Sequence, residues 1–203
     1  DRWMGRFLDL AERLGLFEDT LIIWTTDHGH LFGEHDLQGK PGAELGKLYE
    51  ITARIPLLVY HPEGLGAGQQ IEGIVQPTDI LPSVLEFLDI PGPAGVQGKS
   101  FWPLLSEENA TLHEYAFSCR FPALAGSPTY TATEGAVFDG WVGSDRIVEP
   151  STVTDGKWAY ICAPPGLPSE LYDLELDPAQ GHNVVDEHPQ IAGRMRKAWI
   201  TFL

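Results

Sequence analysis

The sequence predicts an α/β protein: part of a helix-flanked sheet, followed by a small antiparallel α+β subdomain. Three observations carry this expectation. Unbroken apolar runs, Leu21-Ile22-Ile23-Trp24 and Ile55-Pro56-Leu57-Leu58-Val59-Tyr60, read as buried strands, the first of them in a parallel sheet. Segments with helical spacing of apolar residues alternate with these runs, giving a βαβα order. Near residue 107 the texture changes to short strand-like runs separated by Gly, Pro and Ser, the habit of antiparallel strands. The expected domains are 1–106 and 107–203.

The elements follow in order. Trp3, Phe7, Leu10 and Leu14 recur at helical spacing and predict an amphipathic helix packed on a core. Gly15 stands where a C-terminal cap belongs. Leu48 to Arg54 predicts a short helical turn, and Ile71 to Val75 an edge strand. Thr78 and Asp79 precede a helix with Ile80, Leu81, Val84, Leu85 and Leu88 on one face and Pro82 in its first turn. In the second half, 116–118, 136–142 and 157–162 are strand-like. The chain closes on Glu170-Leu171-Tyr172-Asp173-Leu174, a turn at Asp177-Pro178, and a helix carrying Ile191, Met195, Trp199 and Phe202.

Composition narrows the function. A net charge of −16 argues against nucleic acid and anionic membranes as partners. An anionic substrate stays open, because Lys40, Lys47 and Arg54 form a local cationic group. No run approaches the roughly 20 apolar residues of a membrane span. Cys119 and Cys162 are too few for a disulfide scaffold, although one bridge between them is open. No sequence signal names a compartment. The chain opens at Asp1, already inside a helical pattern, so its N-terminus is expected to have been cut.

The chemistry concentrates in Thr25 to Lys40. Three His and three acids fall within ten residues, directly after an apolar run. Ligands of open α/β sheets sit beyond the carboxyl ends of such strands. Asp27 and His28 are the candidate metal ligands there, and Gly29 lets the backbone turn sharply. Lys40 is a point cation suited to an oxyanion. An Asp and a His at a strand end also suit an ordinary Asx turn. His30 and His35 are pocket candidates for which a plain loop role is the competing reading.

These residues, with others in order, resemble a known family. Asp27-His28-Gly29, Gly33-Glu34-His35, Gly39-Lys40, Tyr49-Glu50 and Arg54-Ile55-Pro56-Leu57-Leu58-Val59 resemble the sulfatase family of the alkaline phosphatase superfamily, in its C-terminal portion. Gln76 to Leu85, Gly98-Lys99-Ser100-Phe101, Leu171-Tyr172-Asp173-Leu174, Asp177-Pro178 and Asn183 continue the match. The resemblance implies a partial alkaline-phosphatase-like sheet. It implies Asp27 and His28 as ligands to one divalent metal and Lys40 as the catalytic anion-binding residue. Calcium is the family's metal. The imidazole of His28 suits manganese, zinc or iron better than a hard cation.

The family's nucleophile is a formylglycine made from Cys or Ser in a Cys/Ser-x-Pro-x-Arg motif, which this sequence lacks. Cys162-Ala163-Pro164-Pro165-Gly166 starts like it but has Gly166 in place of Arg. The chain therefore reads as a C-terminal fragment of a sulfatase-like hydrolase, inactive by itself, whose parent acts on a sulfate-ester small molecule or glycan. A phosphonate or phosphodiester hydrolase of the same superfamily is the alternative, as is a non-catalytic binding or structural module. The exposed edges of a partial sheet predict self-association into a homo-oligomer.

Overall fold

A computed structural model describes residues 1–39, 47–106, 110–119, 150–163 and 168–202. The elements begin with α1 (Arg2–Arg13), α2 (Leu16–Asp19), β1 (Ile22–Thr25), β2 (Leu31–Phe32) and β3 (Gln38–Gly39). Next come α3 (Glu50–Ala53), β4 (Leu57–Tyr60), α4 (Ile80–Phe87) and α5 (Pro103–Ser106). The chain continues through β5 (Ala116–Cys119), β6 (Ser151–Thr154), β7 (Trp158–Cys162), β8 (Glu170–Asp173) and α6 (Pro189–Phe202). Two compact units result: Asp1–Asp27 with Ile55–His113, and His28–Arg54 with Glu114–Leu203.

In the first unit β1 pairs with β4, Ile22 opposite Tyr60 and Thr25 opposite Leu57. The pairing is antiparallel, which corrects the parallel, doubly buried strand expected for Leu21–Trp24. A continuous apolar run reports apolarity and not the direction of its neighbour. Among the described residues β1 has β4 as its one sheet partner, and Trp24 is 46% exposed. Leu57 and Val59 alternate inward onto a core of Phe101, Trp102 and Leu112, while Leu58 and Tyr60 face out. Helix α1 also departs from expectation. It is strongly amphipathic, yet Ala11 is its one buried residue and Trp3 is 74% exposed. Gly15 follows α1 in the left-handed region at φ 72°, as its capping position requires. Ile71–Val75 is no strand: Ile74 makes a single antiparallel bridge to His113.

The first unit is knotted at Asp79, which is fully buried. Its carboxylate accepts the Gln76 N–H at 2.7 Å and the Lys99 N–H at 2.9 Å, and lies 2.9 Å from His113 Nε2. Its own carbonyl accepts the Ser83 hydroxyl at 2.7 Å, and Ser83 Oγ in turn accepts the Phe101 N–H at 2.9 Å. The backbone at Gly98 passes so close that a Cβ there would lie 1.9 Å from the Thr78 carbonyl oxygen. A buried carboxylate survives only with donors around it, and here three segments supply them.

The second unit holds the antiparallel meander β5-β6-β7-β8. Alternation splits β7 between two faces. Trp158, Tyr160 and Cys162 pack with Val153 and Leu171 against Met195 and Trp199 of α6. Ile161 points the other way, onto Tyr49 and Tyr172. The predicted strand at 136–142 lies outside the described residues. Cys119 and Cys162 both flank Ser151, on opposite sides of β6. Two strand spacings separate them by about 10 Å, beyond disulfide reach, and neither is in a disulfide. No helix among the described residues is long and apolar enough to cross a membrane.

Replacing Asp79 by Ala strands the Gln76 and Lys99 backbone N–H groups and one imidazole. Urea unfolding of Asp79→Ala is expected to show a loss of about 3 kcal/mol. A loss below about 1 kcal/mol, the scale of one ordinary hydrogen bond, would show that the knot is not what holds these segments together.

Candidate functional site

The site stretch begins where β1 ends. Asp27 is exposed, and its carboxylate accepts the Thr26 hydroxyl at 3.3 Å. His28 is half-buried, with Nδ1 2.8 Å from the Gly29 carbonyl oxygen. A carbonyl can only accept, so Nδ1 carries the proton and Nε2 is the basic nitrogen of the neutral ring. That is the tautomer a metal-binding imidazole adopts when its other nitrogen is held by backbone. Gly29 is required sterically: its N–H donates to the Thr52 carbonyl at 2.9 Å, and a Cβ would fall 1.8 Å from the Ile51 carbonyl oxygen. The short helix α3 thus presses directly on the backbone beside His28.

Beyond Gly29 the chain forms a small hairpin, Leu31 opposite Gly39 and Phe32 opposite Gln38. Its tip is left-handed, with φ 128° at Gly33 and 56° at both His35 and Asp36. Glu34 braces the hairpin by accepting the Phe32 N–H at 2.6 Å. Its own backbone N–H and that of Phe32 hold its carboxyl below the ordinary carboxylate range. His30 is exposed beside the Phe32 ring at 4.7 Å. His35 lies flat on the Tyr49 ring, 3.6 Å between centroids and 5° between planes. Lys40, the predicted anion-binding residue, lies outside the described residues. Among those described, no three His, Cys, Asp or Glu side chains form a metal-holding group. Two donors of the right chemistry, Asp27 and His28, fit part of a divalent shell and not a whole one.

A buried polar cluster escaped the sequence reading. Glu170, 9% exposed, accepts the Lys47 ammonium at 2.5 Å, the Tyr172 hydroxyl at 2.8 Å and the Tyr49 hydroxyl at 3.4 Å. Lys47, one of the three cations grouped from the sequence, is thereby paired. It goes to Glu170 because a carboxylate buried on β8 has the greater need of a counter-charge. Burial and then the nearby Glu170 charge push the Tyr49 phenol up to about 12. Burial and the Glu170 hydrogen bond raise Tyr172 in the same direction. Gln180, itself left-handed at φ 55°, caps α3 by accepting the Glu50 N–H at 2.6 Å. The one signal for this cluster was the two-residue period that puts Glu170 and Tyr172 on one face of a strand.

The decoy motif at Cys162 fails on geometry. Cys162 is 1% exposed in the middle strand β7, and burial pushes its thiol up. Such a thiol is neither accessible nor ionised enough to serve as a nucleophile. Pro164 to Gly166 lie outside the described residues.

Comparison with known proteins places these features. The solved structure of BT4656 in complex with its substrate D-glucosamine-2-N,6-O-disulfate superposes with a TM-score of 0.72 at 22% identity, covering 96% of this chain and 36% of that one. The phosphonate monoester hydrolase of Agrobacterium radiobacter gives a TM-score of 0.73 at 24% identity, covering 97% and 37%. These likenesses establish the fold as a partial α/β arrangement of the alkaline-phosphatase type.

The sulfatase family model matches residues 1–90. Arylsulfatase K of Rattus norvegicus is 29% identical over 193 residues, 94% of this chain and 31% of the relative. N-acetylglucosamine-6-O-sulfatase of Bacteroides thetaiotaomicron is 32% identical over 111 residues, 55% of this chain and 19% of the relative. Over residues 1–90 the chain is therefore similar to the sulfatase family, and the curated relatives it matches are sulfatases. It spans about a third of the length of the first curated relatives it matches.

The raised phenol of Tyr49 predicts an alkaline transition. A group that holds its proton more tightly when folded lends full stability below its unfolded value of 10.0, and that stability is lost as pH rises through about 12. Melting temperature should therefore fall between these limits, and Glu170→Gln should move the Tyr49 titration, followed by tyrosinate absorbance, downward. An unmoved titration in Glu170→Gln would remove the carboxylate as a cause.

Proposed function

We propose that this chain supplies one wall of the site of a sulfatase-like hydrolase that cleaves sulfate esters. Residues 1–106 belong in this reading to the catalytic α/β domain and 107–203 to a bordering subdomain. Asp27 and His28 act as two ligands of one divalent metal, and Lys40 holds the oxygens of the transferred group. The observation that supports this most is the tie of His28 Nδ1 to the Gly29 carbonyl, which turns Nε2 into the ligating nitrogen. The metal, when bound, polarises the ester and stabilises charge developing on it. Lys40 adds a fixed positive charge against the same oxygens. The reading needs more ligands and a formylglycine nucleophile than this sequence contains, so the 203-residue chain alone is inactive.

The substrate class follows from the relatives. One is an N-acetylglucosamine-6-O-sulfatase and one fold neighbour holds a glucosamine disulfate, which favours a sulfated sugar or glycan. A phosphonate or phosphate ester is the second reading. An imidazole ligand suits manganese or zinc over calcium, and two fold neighbours are phosphonate monoester hydrolases.

The test is a hydrolysis assay of the natural polypeptide that carries this sequence. Matched sulfate and phosphate esters are offered, first with calcium and then with manganese. Preference for the sulfate ester is expected, with Asp27→Ala and Lys40→Met each lowering kcat/KM by about 100-fold or more. Equal activity in either variant would remove that residue from the site. The 203-residue chain should turn over neither ester. Robust aryl sulfate hydrolysis by that chain, abolished by Asp27→Ala, would overturn the partial-site reading.

A further inference from the structure

We infer that His35 is a direct anion contact, a binding residue placed by the Tyr49 platform to donate a hydrogen bond to an oxygen of a sulfate or phosphate group. The inference deepens the proposed function and rests on it for the identity of the ligand.

Three observations converge. His35 and the residue after it both sit at φ 56°, a left-handed conformation that costs an L residue about 1–2 kcal/mol and is seldom kept twice in succession without compensation. The compensation on view is the stack on Tyr49, at 3.6 Å and 5°. Tyr49 is 5% exposed and is fixed in turn by Glu170, so the imidazole rests on a rigid base. Yet the ring itself is half-buried, and neither nitrogen has a hydrogen-bond partner among the described residues.

A face-on stack occupies the flat of the ring and leaves its in-plane N–H directions clear of the tyrosine. A polar ring so immobilised has paid its ordering entropy before any ligand arrives. The ligand must accept a hydrogen bond, and the proposed function makes that acceptor an oxygen of a sulfate or phosphate group. Of the two flanking acids, Glu34 turns its carboxylate back to the Phe32 N–H, and Asp36 is exposed.

The experiment is a titration of the 203-residue chain, labelled in its histidine rings, with sodium sulfate and then sodium phosphate at constant ionic strength. The ring signals of His35 should shift saturably. His35→Phe keeps the stack and removes both donors, and should weaken binding about tenfold, as expected for one hydrogen bond to a charged group. His35→Gln, which restores a donor, should recover part of the loss. The Tyr49 titration and the melting temperature serve as fold controls and should be unchanged in His35→Phe. Saturable shifts at His28 with His35 unmoved, and equal affinity in His35→Phe, would overturn the inference and leave the sulfatase-like reading standing. Absence of saturable binding at every histidine would also overturn it, and the hydrolysis assay then judges the functional reading separately.

Discussion

The second unit depends on one buried carboxylate. Glu170 sits on β8 with its charge out of water, and among the described residues the donors that keep it there are two aromatic hydroxyls and Lys47. The consequences run outward along the chain. Tyr49 is held by Glu170, α3 follows Tyr49 directly, and the Thr52 carbonyl of α3 accepts the Gly29 N–H. Gly29 fixes the carbonyl to which His28 is tied. A strand 120 residues away from Glu50 in sequence thus sets the orientation of an imidazole at position 28, through four consecutive contacts inside one unit. Such preorganisation is what a binding constellation needs, since loosely held side chains lose their geometry and with it their function.

The first unit repeats the logic at Asp79 with a different outcome. There the carboxylate joins the segment before α4, the backbone at Lys99 and the His113 ring, and nothing in the arrangement is left to receive a ligand. Much of the resemblance to the sulfatase family is therefore architectural. Gln76 to Leu85 and Gly98 to Phe101 match because they meet at this knot, with Gly98 permitting a backbone approach that any side chain would block. The Asp27 to Lys40 stretch is the part of the match to which the proposed function assigns the chemistry. Motif similarity alone does not separate the two kinds, whereas burial and saturation of the polar groups do.

What the sequence disclosed follows the range of the forces involved. Local signals were legible: the α4 helix, the last helix with Met195 and Trp199 inward, the left-handed Gly15, and the shift to antiparallel strands in the second half. The sharp turn at Gly29 was legible because a glycine just after a strand is itself a local signal. Long-range pairings were not. Nothing in Leu21–Trp24 states that its neighbour runs antiparallel, and nothing near Lys47 points to a carboxylate at position 170. The α1 helix shows the same limit from the other side. Its periodicity is real, but periodicity tells which face is apolar and not whether something covers it.

Charge supplies the last constraint. A chain of net −16 repels anions at a distance, so an anion site in it must rely on short-range, fixed donors. Of the three cations expected to offset the global field, Lys47 is paired with Glu170, and Arg54 stands within range of the half-buried Glu50, whose carboxyl burial raises and Arg54 lowers. In the proposed site the positive side would then fall to Lys40, to donors that need no net charge, such as an imidazole N–H, and to the metal. Hydrogen bonds from rigid neutral groups also resist salt screening better than exposed ion pairs do. In a strongly acidic protein this favours building anion recognition from histidine, backbone and metal, with a single lysine, over a basic patch.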